Sequence, residues 1–340
     1  MKKVYEGFTI KQISDELNLS RSTVSKVLNG IPGVSEKSRK AVLDYIDALK
    51  NTPSVPEIPS AQSKAIMFSY RSDHVEYING LLSGIERTIK ANNYLFVLNI
   101  ITRNEPPYFP ESIKNSNICG IISFNIYDPE YIKEIESLSI PSVFFDMPYA
   151  QQAEPPASDI VFTENYHSIH QAMLYLFQKG CRKFGFIGYP YYCHSLHQRW
   201  NTFQSVLEEL KLPLDEQSCF LDNYDAYPES EIPQMLKKRI ADMKELPDAY
   251  ICSSDKQAIY LYIVLKELGY SIPQDVAVVG FDNLPESLRQ IPQLTTIDAH
   301  SCLQGELAVK LILDRLADPG RPPLIVQCRT KLLLRDSTNI

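Results

Sequence analysis

The spacing of hydrophobic positions changes near residue 64, and that change divides the chain. In residues 9–28 apolar side chains recur at intervals of three and four: Ile10, Ile13 and Leu17, then Val24, Val27 and Leu28. This is the period of a buried helical stripe. Thr9 supplies a cap for the first helix with Gln12 as its reciprocal partner, Asn18 tolerates the left-handed backbone that ends it, and Leu19 plugs the angle that follows. Ser20 caps a second helix and leaves Arg21, Ser22, Ser25 and Lys26 outward. Ser35 caps a third, whose buried face is expected from Val42, Leu43 and Ile46. From Lys64 onward, apolar runs of strand length (65–69, 94–101, 118–124, 142–145, 184–187, 249–252 and 276–279) alternate with segments of helical period (78–91, 168–179, 202–210, 258–268 and 305–316). That alternation predicts parallel sheets with helices on both faces. The series is too long for one domain and pauses at 151–158, so two doubly wound lobes are expected. Ligands of such sheets bind beyond the carboxyl ends of the strands, here in the cleft between the lobes.

Between the two regions, residues 51–63 carry Pro53, Pro56 and Pro59 among small polar residues, the composition of a linker. Charge then sharpens the division. The whole chain is −7, which alone disfavours nucleic acid. Residues 1–50, however, hold nine Lys and Arg against six Asp and Glu, a net of +3, and leave −10 on the remainder. A small basic module on an acidic body is expected when only one end meets phosphate. The seven cysteines are odd in number and show no Cys-x-x-Cys pair, so they read as free thiols of a reducing cytosol. No apolar run approaches the ~18–20 residues of a membrane span and the first twenty residues lack the core of a signal peptide, which points to the cytoplasm. Glycine-rich nucleotide loops, a Gly-x-Ser-x-Gly elbow and metal-ligand spacings are all missing, so neither catalysis nor a cofactor nor a metal is expected.

Two short helices joined by a tight turn read as a helix-turn-helix, whose second helix fits the major groove and presents its N-terminal residues to base edges. The alternative is a three-helix bundle with no nucleic-acid role. The sequence favours the first, because Thr9-Ile10…Ile13, Leu19-Ser20-Arg21-Ser22-Thr23-Val24-Ser25-Lys26-Val27-Leu28-Asn29-Gly30 and Val34-Ser35-Glu36-Lys37-Ser38-Arg39 resemble the head of the lactose-repressor/galactose-repressor family. The resemblance continues in Gly120-Ile121-Ile122, Gly180-Cys181-Arg182-Lys183-Phe184-Gly185-Phe186-Ile187-Gly188, Gln198-Arg199 with Phe203, Pro247-Asp248-Ala249 with Ser254-Asp255, the segment Ile272 to Asn283, and Leu294-Thr295-Thr296-Ile297. It implies an all-α helix-turn-helix head at 1–50, a linker at 51–63, and a two-lobed α/β sensor of the periplasmic-binding-protein type at 64–340. The N-lobe is expected at about 64–160 and 292–322, and the C-lobe at about 161–291 and 323–340.

By that resemblance Arg21, Ser22 and Lys26 read bases, while Thr9, Ser20, Thr23, Ser25, Asn29, Ser35 and Ser38 grip phosphates. Two departures matter. Lys26 stands where Arg is commoner, a point charge in place of a fork. Pro56 and Pro59 stand where the family forms a hinge helix, so that helix is not expected here. The resemblance also implies effector contacts at Tyr70, Arg71, Tyr77, Asp146, Arg199, Tyr224, Ser254 and Asp282. Arg199 is expected to open a helix after an irregular 189–198 loop, and Asp255 to cap one. The implied protein is a cytoplasmic homodimeric repressor of carbohydrate-utilisation genes, with a pseudo-palindromic operator and a sugar effector. A regulator answering to a purine or another non-sugar metabolite is the alternative, and a pure small-molecule-binding protein is the third reading.

Overall fold

In the computed structural model the described residues are 4–5, 8–51, 64–72, 75–102, 113, 116–149 and 157–340. They fall into two compact units, Met1–Ser60 and Ala61–Ile340. Residues 52–63 of the expected linker, and with them the question of a hinge helix, lie outside the described residues.

The first unit opens with an antiparallel pair, β1 (Val4–Tyr5) and β2 (Phe8–Thr9), ahead of α1 (Ile10–Glu16), α2 (Arg21–Leu28) and α3 (Glu36–Asn51). Ile13, Val24, Val27 and Val42 form its core, with Leu17, Leu19, Leu28 and Ile46 packed against them. Asn18 takes the left-handed conformation at φ 52°. Ser20 caps α2 by accepting from Thr23 N at 3.1 Å, and Ser35 accepts from Ser38 N at 3.2 Å. Leu43 departs from expectation, being 47% exposed. One residue is about 100° of helix turn, so the stripe through Val42, Tyr45 and Ile46 leaves position 43 at its solvent edge.

The second unit runs β3 (Ala65–Arg71), α4 (Val75–Ala91), β4 (Leu95–Ile101), β5 (Ile118–Phe124), α5 (Pro129–Ser137), β6 (Ser142–Phe145), β7 (Asp159–Thr163), α6 (His167–Gln178), β8 (Phe184–Ile187) and α7 (His194–Glu209). It continues with β9 (Cys219–Phe220), α8 (Ile232–Ala241), β10 (Ala249–Cys252), α9 (Asp255–Glu267), β11 (Ala277–Val279), β12 (Thr296–Asp298), α10 (Ser301–Ala317), β13 (Ile325–Cys328) and β14 (Lys331–Leu333). Among the described residues one parallel sheet has the order β4-β3-β5-β6-β7-β13 and a second the order β9-β8-β10-β11. Apolar side chains fill both faces of each, as parallel sheets require. In the first lobe α4 and α10 bring Leu81, Ile85, Val309 and Ile312 onto Ile66 and Phe68, while α5 brings Tyr131 and Ile135 onto Met67 and Phe144. In the second, Phe203 of α7 and the chain's single tryptophan, Trp200, stack beside Phe186; α8 and α9 close the other face.

The lobe boundaries differ from expectation. Strand β13 pairs with β7 in the first sheet, so the chain returns to the second lobe only after Cys328 and not near residue 323. Strand β12 pairs with β14 in a separate antiparallel ribbon. Three crossings therefore join the lobes, after β7, after β12 and after β13. Asp159 fixes the turn that leads from α10 into β13. Its carboxylate accepts from Arg315, from Arg321 and from Leu324 N at 2.8 Å. Against them α10 and α4 touch backbone to backbone, since a Cβ on Gly84 would lie 2.0 Å from the Cys302 carbonyl oxygen.

Candidate functional site

The carboxyl ends of both parallel sheets converge on one cavity of about 170 Å³. It is lined by Asn125 after β5, Asp146 after β6, Thr163 at the end of β7, Tyr189 after β8, Ser253 and Ser254 after β10, and Asp282 after β11. Cavities near 150 Å³ take up a benzene-sized ring, so the space suits a small ring-shaped ligand.

Arg199 lies at the centre, buried to 7% exposure. Helix α7 begins at His194 and not after a 189–198 loop, so Arg199 sits in its second turn instead of opening it. Its Nε donates to Asn165 Oδ1 at 2.9 Å, Nη1 donates to the Ser253 carbonyl, and its guanidinium lies 3.4 Å over the Phe281 ring. Asp282 Oδ1 is 3.8 Å from Nη1. Tyr77 and Tyr224 line the cavity. Burial raises both phenols, with Asp282 adding at Tyr77 and Asp222 at Tyr224, so each is a protonated hydroxyl at neutral pH.

Asp146 and Ser254 line the cavity but are already engaged. Asp146, at φ 63°, accepts from Met147 N and reaches across to Ser195 N at 3.2 Å. Its carboxylate thus sits at the N-terminus of α7, where negative charge is favoured. Ser254 caps α9 by accepting from Gln257 N at 3.3 Å, the role expected of Asp255. Two expected contacts are not at the cavity. Tyr70 is 9% exposed and stacked on Phe68 at 5.2 Å inside the first lobe, because residues two apart on a strand share a face. Arg71, last in β3, is half-buried and does not line the space.

Residues outside the expected set complete the wall. Gln304 of α10 donates to Thr163 Oγ1 at 3.0 Å and to the Ala299 carbonyl at 2.7 Å, and accepts from Tyr77 at 3.5 Å. Tyr192 donates to Asn125 Oδ1 at 2.6 Å, and Tyr127 meets Tyr192 edge to face at 5.3 Å. His194 N donates to the Met147 carbonyl at 2.9 Å. The 125–149 and 189–197 segments thus clasp one lobe to the other. Proximity of tyrosines in the 189–192 loop was the only sequence signal for this clasp; the amides Asn125 and Gln304 belong to no motif.

In the first unit, Arg21, Ser22, Lys26, Ser20, Asn29 and Ser35 are exposed, and Thr23, Ser25 and Ser38 half-buried. They lie on or beside α2 and at the start of α3, with the Ser20 hydroxyl within 2.8 Å of those of Ser22 and Thr23. Thr9 is the last residue of β2, immediately before α1.

A family model described as a periplasmic binding protein-like domain matches residues 173–338. The helix-turn-helix-type transcriptional repressor PurR of Photorhabdus laumondii is 26% identical over 337 residues, 97% of this chain and 96% of its own. The structure of a transcriptional regulator CelR–cellobiose complex superposes with a TM-score of 0.67 at 20% identity, over 97% of this chain and 99% of that one. That of the lac repressor dimer bound to operator and the anti-inducer ONPF does so with a TM-score of 0.63 at 19% identity, over 97% and 99%. No helix among the described residues is long and apolar enough to cross a membrane.

Proposed function

We propose that the chain is a member of the lactose-repressor/galactose-repressor family of transcription regulators, a cytoplasmic, homodimeric repressor and not an enzyme, whose grip on operator DNA is set by a neutral carbohydrate held between its lobes. The observation that carries the reading is the buried Arg199–Asp282 pair at the centre of the interlobe cavity. A forked donor beside a carboxylate suits vicinal hydroxyls, which both donate and accept. Tyrosines give an apolar surface with a polar rim for the ring.

Charge narrows the effector class. Arg199 and Lys256 face Asp146, Glu229 and Asp282, so the lining carries −1 overall, and Lys256 is paired with Glu229. Such a wall repels sugar phosphates and nucleotides. A free purine base is the second reading, because Tyr77 and Phe124 stack at 5.5 Å with rings 23° apart, a flat surface on which a base could lie. On the DNA side, Arg21, Ser22 and Lys26 read bases while Thr9, Ser20, Thr23, Ser25, Asn29, Ser35 and Ser38 hold phosphates; one head reads one half-site, so two are needed for a pseudo-palindrome.

The test is selection of random duplexes by the purified protein, followed by titration of the bound duplex with neutral sugars, sugar phosphates and purine bases. A pseudo-palindromic site released or tightened by a neutral sugar is expected. Failure to enrich any site would sink the regulator reading, and a response to a base alone would replace the sugar.

A further inference from the structure

Asp282 and Asn283 are consecutive non-glycine residues with φ of 110° and 56°. Such backbone costs on the order of 1–3 kcal/mol per residue unless its surroundings over-determine it. Here every amide of the loop is tied. Asp282 N donates to the Ile297 carbonyl at 2.8 Å, Asn283 N to Thr296 Oγ1 at 3.3 Å, and Leu284 N to Asp255 Oδ2 at 2.8 Å. Thr296 Oγ1 in turn donates to Asp255 Oδ1 at 2.5 Å, and Asp255 N donates to the Phe281 carbonyl at 2.6 Å. A Cβ on Gly280 would lie 2.1 Å from Asp255 Oδ1, so the carboxylate lies flat against the strand end. Asp255 is fully buried and does not line the cavity.

We propose that Asp255 is a positioning residue for effector binding: it holds the strained loop that aims Asp282 at Arg199, and through Thr296 it ties that loop to β12, the strand that leads across to the first lobe. The proposal rests on the reading of the cleft above. Burial first, and Asp282 second, raise the Asp255 carboxyl, while its two oxygens accept from Thr296 and from Leu284 N. Asparagine keeps the shape but only one of the two acceptors, so it should serve in part and alanine not at all.

The experiment is calorimetric titration of the full-length protein with D-ribose, D-glucose, cellobiose and adenine, at a temperature where each variant is folded. For whichever probe binds the wild type, Asp255→Ala should weaken Kd by about tenfold or more, the loss of one to two buried hydrogen bonds. Asp255→Asn, which keeps one acceptor, should fall between wild type and the alanine variant, and Thr296→Val should weaken binding without replacing the carboxyl. A residue that only stabilised the fold would lower the Tm and leave Kd alone. Unchanged Kd in Asp255→Ala or in Thr296→Val overturns the proposal, and Thr296→Val decides if Asp255→Ala does not fold. If no probe binds the wild type, the reading of the cleft fails and takes this one with it.

Discussion

Arg199 is committed to Asn165, Ser253 and the face of Phe281 before any ligand arrives. A guanidinium fixed in this way is pre-organised, and lysine supplies neither the fork nor the flat face. Arg199→Lys should therefore weaken effector binding by tenfold or more and leave the buried Asn165 acceptor unpaired, at a cost of about 1–3 kcal/mol; titration and urea unfolding measure the two separately. Asp282 stands out in the sequence as a charge at the end of an apolar run, whereas Arg199 is singled out by its match to the family's motif. Tyr70 was misassigned although period two places it with Phe68, and Asn125 and Gln304 carried no signal because neutral amides are common on every surface. Asp146 shows why position alone falls short: it lies at a strand end in the cleft, yet its carboxylate serves the opposite helix.

Among elements, the long strands and helices with both faces or one stripe buried were legible from spacing. The short or edge elements were not. Strand β9 has two residues, β13 alternates exposed and half-buried positions at the sheet edge, and β7 lies just beyond a proline-rich pause that read as a boundary. Helix α5 had a signal that went unread, an Asp128 cap followed by Pro129 in the first turn. The α4–α10 contact depends on glycine, so Gly84→Ala should cost about 1–3 kcal/mol by overpacking, read as a lowered urea midpoint at unchanged slope. The Asp159 cluster makes a pH prediction. Burial opposes the Asp159 charge, but Arg315, Arg321 and the Leu324 amide outweigh it and leave the carboxyl below its usual value. The stabilisation is therefore present above about pH 4 and lost as pH falls through the lowered value. Asp159→Asn should cost about 1.5–3 kcal/mol at pH 7 by taking the carboxylate from two half-buried arginines, and the gap to wild type should close in strong acid.

For the whole molecule, the division into a basic end and an acidic remainder was plain in the sequence, whereas the lobe boundaries were off by several residues because β13 returns to the first sheet before the chain leaves it. The charge division sets how DNA binding should respond to salt. Arg21→Ala should relax base discrimination by about 1–3 kcal/mol at one position, and removing a phosphate-binding cation should flatten the salt slope by about 1; Lys26→Ala tests which kind of contact that side chain makes, by anisotropy at several salt concentrations. Measured slopes unchanged in both variants would move the DNA contact elsewhere.

Trp200 is the chain's single tryptophan, it follows Arg199 directly, and it is wedged between Phe186 and Phe203. The protein thus carries its own optical gauge. Light emitted by one indole in the second turn of α7 comes from the helix that both the cavity and the opposite lobe grip, so a change in emission on titration with an effector is the expected outcome in the unlabelled protein.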